Sequence, residues 1–241
     1  MLRLALVIAL VLGIAAPSEA HIVLDGDIVR PILIDLTKYV NDTQKGVSEE
    51  VRVEALYLLG EQVQRLVDLM NLDVGSHGKS LYADLLVRRL NEYGIRVTRA
   101  DANGRYVYDQ AAFQEYVRRN PRGKRAAEAK FRVIAHVFYG SVGNDPAELV
   151  NSDVDQLQRA VGQEEAFLKE HPGSDKRKDV RFFLAMDYYR LFRHSPDRGT
   201  AVKYERLATR ALREITQEYP GTAQARAAEV TLEALSTEAR R

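Results

Sequence analysis

The chain has 241 residues, with 35 Lys and Arg against 34 Asp and Glu, and its formal charge of +1 excludes the strongly basic character typical of nucleic-acid-binding domains. Charged residues make up 29% and hydrophobic residues 46% of the chain, a balance that excludes both a disordered chain and a membrane protein with many spans. The chain contains no cysteine, which excludes disulfides, thiolate nucleophiles and iron–sulfur clusters.

The first 20 residues are predicted to be a secretory signal peptide that is cleaved after Ala20. Arg3 supplies a basic start, the run from Leu4 to Ala16 is apolar, and Ser18 and Ala20 are small residues at the −3 and −1 positions of a cleavage site. The apolar run is shorter than the roughly 20 residues that a membrane span needs, although an uncleaved anchor is the alternative. We therefore expect a periplasmic or secreted protein with no integral membrane span after cleavage.

Cleavage at this position would make His21 the first residue of the mature protein. An N-terminal His can chelate copper through its amine and its imidazole, so an envelope enzyme or metal-binding protein that uses His21 is one hypothesis. The alternative is that cleavage falls there without consequence, because a metal site needs several ligands on a rigid frame. The other histidines lack a metal-ligand spacing, and we predict no metal site and no cofactor.

Residues 21–110 are predicted to form an N-terminal helical segment with a small hairpin. A short helix is expected around residues 28–40. A second helix starts after Ser48, ends over residues 71–78 and has a stripe of apolar residues at helical spacing, namely Leu56, Leu59, Val63, Leu66 and Met70. A third helix ends at Gly94 and has a stripe of its own, namely Tyr82, Leu86, Leu90 and Tyr93.

A β-hairpin is predicted near residues 95–108. Residues 95–98 and 105–108 alternate β-forming side chains and flank an Asn103-Gly104 pair, which is the strongest short-range signal for a hairpin turn. We expect these strands to pack on helices, because an isolated hairpin is only marginally stable in water.

Residues 111–241 contain three similar junctions between predicted helices, each with a proline that stops one helix and small or apolar residues that start the next. The prolines lie 51 and 48 residues apart and are Pro121, Pro172 and Pro220. At the last two junctions, Gly173 and Gly221 are expected to form a left-handed turn, and Ser174 and Thr222 are expected to cap the following helix. The pattern predicts antiparallel helix pairs stacked side by side.

This half of the chain resembles the tetratricopeptide-repeat family. The residues that carry the resemblance are Ala208, Leu212 and Pro220 for the motif's Ala, Phe and Pro positions, and Leu184, Ala185 and Tyr188 for its Leu-Gly-Tyr cluster. The junction over residues 219–222, followed by alanines, is similar to periplasmic repeat proteins of the outer-membrane assembly and Tol–Pal coordinator type. The resemblance implies an all-α solenoid of tetratricopeptide-like helical hairpins that binds a protein or peptide in the cell envelope without chemistry.

One predicted helix, over residues 175–193, is apolar on almost every face and rich in aromatic side chains. In the binding hypothesis it lines a concave groove for a peptide, because aromatic and Arg side chains are the usual anchors in such grooves. The candidate binding residues are Phe182, Tyr189, Arg190 and Arg193. The alternative is that this helix is sandwiched inside the core.

A basic cluster surrounds the first junction and consists of Arg118, Arg119, Arg122, Lys124 and Arg125. An acidic partner, phospholipid headgroups or an anionic envelope polymer would suit this cluster. The alternative is a solvated surface with local ion pairs, which contribute little. Nucleic acid is not expected as a partner, because the protein is expected outside the cytoplasm and its net charge is only +1.

We find no catalytic motif in the sequence. Residues 75–80 superficially resemble a phosphate loop, but a Walker A motif would need its first glycine where Asp73 stands, and the preceding segment is predicted to be helical. The hypothesis from sequence is a non-enzymatic periplasmic scaffold or adaptor that binds another envelope protein through a helical-repeat groove. A purely structural role, in which the repeats only oligomerise, is a further alternative.

Overall fold

The structure, a computed structural model, describes residue 24 and residues 26–44, 46–77, 80–99, 105–141 and 154–238. Within these residues it contains nine helices and one two-stranded antiparallel sheet, which confirms the prediction of an all-α protein with a small β-hairpin. The predicted signal peptide and His21 lie outside the described residues. Across the described segments, none of the helices combines the length and the apolar character that a membrane crossing requires.

The helices and strands are named in chain order. The N-terminal elements are α1 (Gly26–Asp42), α2 (Glu49–His77), α3 (Leu81–Glu92), β1 (Val97–Arg99), β2 (Tyr106–Tyr108) and α4 (Ala111–Arg119). They are followed by α5 (Ala126–Ser141), α6 (Val154–Glu170), α7 (Arg177–His194), α8 (Arg198–Glu218) and α9 (Ala223–Glu238). The contacts divide the chain into two compact units, and the division falls inside α5, between Val133 and Ile134.

The N-terminal unit is organised around α2, which packs against α1, α4 and the hairpin. The five apolar residues predicted to face inward, from Leu56 to Met70, are all buried, as their helical spacing requires. Gly60 lets α4 approach closely, because a Cβ atom at this position would lie 2.8 Å from the ring of the buried Phe113. The first proline junction, at Pro121, follows α4 and therefore lies in the N-terminal unit.

The helix α2 ends at His77, within the range of residues 71–78 that the sequence predicts for its end. Asn71 does not stop the helix but binds the hairpin: its Nδ2 donates to the carbonyl oxygen of Tyr106 at 2.9 Å, and its Oδ1 accepts from the N–H of Tyr106 at 2.6 Å. The two strands pair antiparallel with Val97 opposite Tyr108, which confirms the hairpin and its packing on helices. The predicted turn at residues 103–104 lies outside the described residues.

Both ends of α3 follow the sequence signals. Ser80 precedes the helix, and its Oγ accepts a hydrogen bond of 3.1 Å from the N–H of Ala83, so this serine is a helix cap rather than part of a phosphate loop. Gly94 follows the helix with φ of 75°, a left-handed conformation that glycine adopts without the steric cost of a Cβ atom.

The C-terminal unit is built around α7, which contacts α6, α8 and α9. Ten of the residues in α7 are buried, in agreement with the core alternative for this helix. Phe183 stacks on Phe138 at the end of α5, with ring centroids 4.2 Å apart, and Tyr188 lies near Tyr204 of α8. Burial on several sides at once explains why α7 has no polar face.

The two later junctions differ from each other. Gly221 is left-handed, with φ of 76°, and Thr222 Oγ1 accepts the N–H of Ala225 at 3.1 Å, so both predictions for this junction are confirmed. At the other junction both predictions were wrong: Gly173 has no positive φ, and Ser174 Oγ accepts from Lys176 at 3.2 Å, before α7 begins. An extra turn of chain separates Ser174 from the helix, which places this hydroxyl outside capping distance.

Candidate functional site

The residues predicted to line a peptide groove lie mostly inside the C-terminal unit. Phe182, Tyr189 and Arg190 are 5%, 2% and 0% exposed, so none of the three presents a side chain to a docked peptide. Arg193 is exposed, lies 6.0 Å from the centre of the Tyr189 ring and pairs with Glu238 of α9 at 3.6 Å. The buried side chains of Phe182, Tyr189 and Arg190 therefore stabilise the packing of α7, whereas Arg193 stays accessible at the surface.

Arg190 belongs to a buried cluster with Asp187 of the same helix and Glu164 of α6. A guanidinium nitrogen of Arg190 donates to Asp187 Oδ1 at 2.6 Å, and the guanidinium lies 4.6 Å from the centre of the Phe138 ring. Exposure is 1% at Glu164 and 0% at Asp187. A charged residue is almost never fully buried without a partner, and here the acidic neighbours provide one.

The protonation of this cluster follows from its burial. Burial raises the pKa of Asp187 to about 6, although the positive charge of Arg190 opposes that shift. Burial, together with the negative charge of Asp187, raises the pKa of Glu164 well above its usual range. The protonated form of Glu164 is therefore favoured, and the positive charge of Arg190 favours the ionised form of Asp187. The cluster is closed to solvent and joins α6 to α7.

The predicted basic cluster is largely neutralised by carboxylates. Arg118 and Arg119 both bind Glu115, and Arg119 also reaches Glu49 at 2.8 Å. The hydrogen bond from Arg118 is the main cause that lowers the pKa of Glu115 to about 2. Arg118 and Arg119 therefore fit the alternative of a solvated surface with local ion pairs.

The other three members of the basic cluster differ in whether a carboxylate neutralises them. Arg125 pairs with Glu54 at 2.8 Å and lies 4.5 Å from the centre of the Tyr57 ring. Arg122 and Lys124 are exposed and have no carboxylate partner among the residues that the structure describes. Two adjacent exposed cations are common on protein surfaces and do not by themselves define a site.

A more open feature lies between α1 and α3 in the N-terminal unit. A cleft of about 470 Å³ separates these helices and is lined by Arg30, Leu33 and Ile34 from α1 and by Tyr82, Arg89 and Tyr93 from or just after α3. The residues around the cleft also include Gly26 and Thr37, so it extends along most of α1. We call this cleft the α1–α3 groove.

Large apolar side chains are exposed in and beside the α1–α3 groove. Ile34 is 62% exposed, and on α3 Leu81 and Leu85 are 85% and 56% exposed. Leu85 lies on α3 between the groove residues Tyr82 and Arg89, three residues after one and four before the other, so helical geometry places it on the same face. The apolar surface therefore continues beyond the cleft along α3.

The two walls of the α1–α3 groove are joined at one end. Thr37 Oγ1 lies 3.0 Å from Tyr93 Oη, and Arg89 lies over the Tyr93 ring at 4.9 Å while pairing with Glu92 at 2.7 Å. Arg30, on the opposite wall, has no ion pair with any residue in the described part of the chain. The groove thus combines an apolar floor with two arginines, and among the residues that the structure describes no carboxylate lines it.

The spacing of Tyr82 in the sequence is that of an inward-facing residue, and it therefore did not predict this groove. Leu86 and Leu90 of the predicted stripe are buried, but Tyr82 is 37% exposed and lines the groove. A signal was present: Leu81 and Leu85 are apolar and fall outside the inward stripe, so α3 is apolar over a wider arc than one packed face needs.

Within the described segments, no group of three or more His, Asp or Glu side chains is arranged to hold a metal ion. Comparison of the chain with protein-family models, with curated proteins and with solved structures found no match.

Proposed function

We propose that this protein is a non-enzymatic adaptor of the cell envelope that holds another protein through the α1–α3 groove. The observation that carries the proposal is the exposed apolar surface formed by Ile34, Leu81 and Leu85 beside the groove. Soluble proteins rarely expose large contiguous apolar patches, and those that do commonly use them to bind a partner. The signal-peptide pattern of residues 1–20 supports export to the envelope.

The C-terminal unit fits this role as a rigid scaffold. The helices α6 and α7 form one pair and α8 and α9 another, and each pair buries apolar side chains against the next. This arrangement supports a tetratricopeptide-like architecture, in which stability is a sum of interfaces between neighbouring pairs. The aromatic residues of α7 then contribute to that stability, and recognition is assigned to the N-terminal unit.

The proposal is tested by replacing one exposed apolar side chain beside the groove. We expect Leu85→Glu to fold normally, since this side chain is 56% exposed, and to lose partner capture when the tagged protein is isolated from its own cells and quantified by mass spectrometry. The matched control is Val51→Glu, which places the same charge at an exposed position of α2 that does not line the groove. Equal capture by both folded variants would contradict the proposal.

A further inference from the structure

We propose that the α1–α3 groove binds an acidic amphipathic helix, whose apolar face covers the groove and whose carboxylate pairs with Arg30. This inference rests on the proposed function and adds the chemistry of the partner. Three properties of the groove support it: the length of its apolar surface, the charge of its lining, and the position of Arg30.

The length of the apolar surface favours a helical segment over a small ligand. The surface extends along α3 from Leu81 through Leu85 to the end of the groove at Tyr93, and a helix of 12 residues such as α3 is about 18 Å long. A partner helix presents apolar side chains at i, i+3, i+4 and i+7 along a comparable length. A small apolar molecule would fill the cleft but leave Leu81 and Leu85 exposed.

The charge of the lining favours an acidic partner. The described lining of the groove contains two arginines and no carboxylate. Arg89 is already engaged by Glu92 and by the ring of Tyr93, whereas no carboxylate in the described part of the chain pairs with Arg30. A carboxylate brought by the partner would form a charge-assisted hydrogen bond with Arg30, and a lysine at that place would be repelled.

The position of Arg30 links these two properties. Arg30 lies one turn before Ile34 on α1. A partner helix could therefore pack an apolar side chain on Ile34 and place a carboxylate, about one turn away along the partner helix, against Arg30. The site therefore selects a pattern, an acidic residue next to an apolar stripe, rather than charge or hydrophobicity alone.

The probes for the test are three fluorescent peptides of about 12 residues, a length chosen to match α3. The first has a leucine stripe at helical spacing with glutamates beside it, the second has lysines in place of the glutamates, and the third has the composition of the first in scrambled order. Binding to the whole protein is followed by fluorescence anisotropy, with the N-terminus of the purified protein established by intact mass.

We expect the acidic striped probe to bind best. Arg30→Glu should weaken its binding about tenfold and strengthen that of the lysine probe, because the sign of the interaction is reversed. The matched control is Arg122→Glu, an equal change of charge at an exposed arginine that does not line the groove, and we expect it to alter binding less than twofold. Arg30→Lys should retain most of the affinity.

Several outcomes would overturn the inference. Equal binding of the acidic and lysine probes would remove the role of Arg30 but leave an apolar groove, so the proposed function would survive if Leu85→Glu still abolished binding. Displacement of the acidic probe by oleate at lower concentration than by unlabelled peptide would identify a fatty-acid site. A dimer in light scattering that Leu85→Glu dissociates would identify a second copy of the chain as the occupant.

Discussion

Asp187 Oδ1 lies 2.6 Å from a guanidinium nitrogen of Arg190, one turn further along α7, and both side chains are completely buried. Burial and the negative charge of Asp187 both raise the pKa of Glu164 of α6 and favour its protonated form. This relationship predicts how the C-terminal unit responds to mutation and to pH.

The two carboxyl groups are expected to replace each other as the partner of Arg190. In Asp187→Asn, Glu164 no longer faces a neighbouring negative charge and can ionise beside Arg190, so the loss of stability is partly offset. The double variant Glu164→Gln/Asp187→Asn leaves the guanidinium charge uncompensated and should cost about 3–5 kcal/mol of unfolding free energy, more than the sum of the single variants. Urea unfolding measures the free energy of unfolding of the two single variants and the double variant. Losses that simply add would contradict the expectation that either carboxyl group can pair with Arg190.

The raised pKa of Glu164 also predicts a dependence of stability on pH. A carboxyl group whose pKa is higher in the folded than in the unfolded state binds its proton more tightly when folded, so its stabilising contribution is present at low pH and is lost as the pH rises through the folded value. Urea unfolding of the wild type and of Glu164→Gln between about pH 5 and 9 should therefore show the wild type losing stability relative to the variant as pH increases. Parallel curves would show that Glu164 is not protonated in the fold.

Gly60 and Gly162 predict opposite effects of the same substitution. Gly60→Ala would place a Cβ 2.8 Å from the ring of Phe113, which is completely buried, and should destabilise the protein by about 1–3 kcal/mol despite the better helix propensity of Ala. Gly162, in α6, has no atom within 4 Å of its added Cβ, so Gly162→Ala should stabilise by about 0.5–1 kcal/mol. Thermal unfolding followed by circular dichroism compares the two variants. Equal shifts in the melting temperature would contradict the close approach of α4 to α2.

Asn71 is expected to hold the hairpin on α2. Asn71→Ala removes both hydrogen bonds to the backbone of Tyr106 and leaves two polar groups without these partners, at a cost of about 1–3 kcal/mol. Hydrogen exchange at the amide of Tyr106 should become faster, while exchange in α7, in the other unit, should not change. Unchanged protection at Tyr106 would mean that strand pairing alone holds the hairpin.

The fold could be predicted from sequence where one periodic signal dominated. The stripe from Leu56 to Met70 is buried because its spacing leaves α2 a single packed face, and Gly221 is left-handed because a helix ends there. The burial of α7 was harder to predict, because its aromatic and Arg residues suit both a binding groove and a packed core. The choice depends on which helices pack around Tyr189 and Arg190, and these contacts join residues far apart in the sequence.

The candidate site was hidden for a similar reason. Tyr82 has the spacing of a core residue, and only the placement of α1 beside α3 leaves it at the surface. Arg30 carried no signal in the sequence, because its significance lies in the absence of a carboxylate partner in the described structure.

Site-specific photocrosslinking in living cells tests the adaptor role most directly. A photoreactive amino acid at position 85, beside the α1–α3 groove, should crosslink to a defined envelope protein through a segment that is apolar on one face and acidic beside it. The same amino acid at position 114, an exposed site on α4 that does not line the groove, should give no such product. Absence of a specific crosslink at position 85, or the same products at both positions, would contradict a partner-binding groove between α1 and α3.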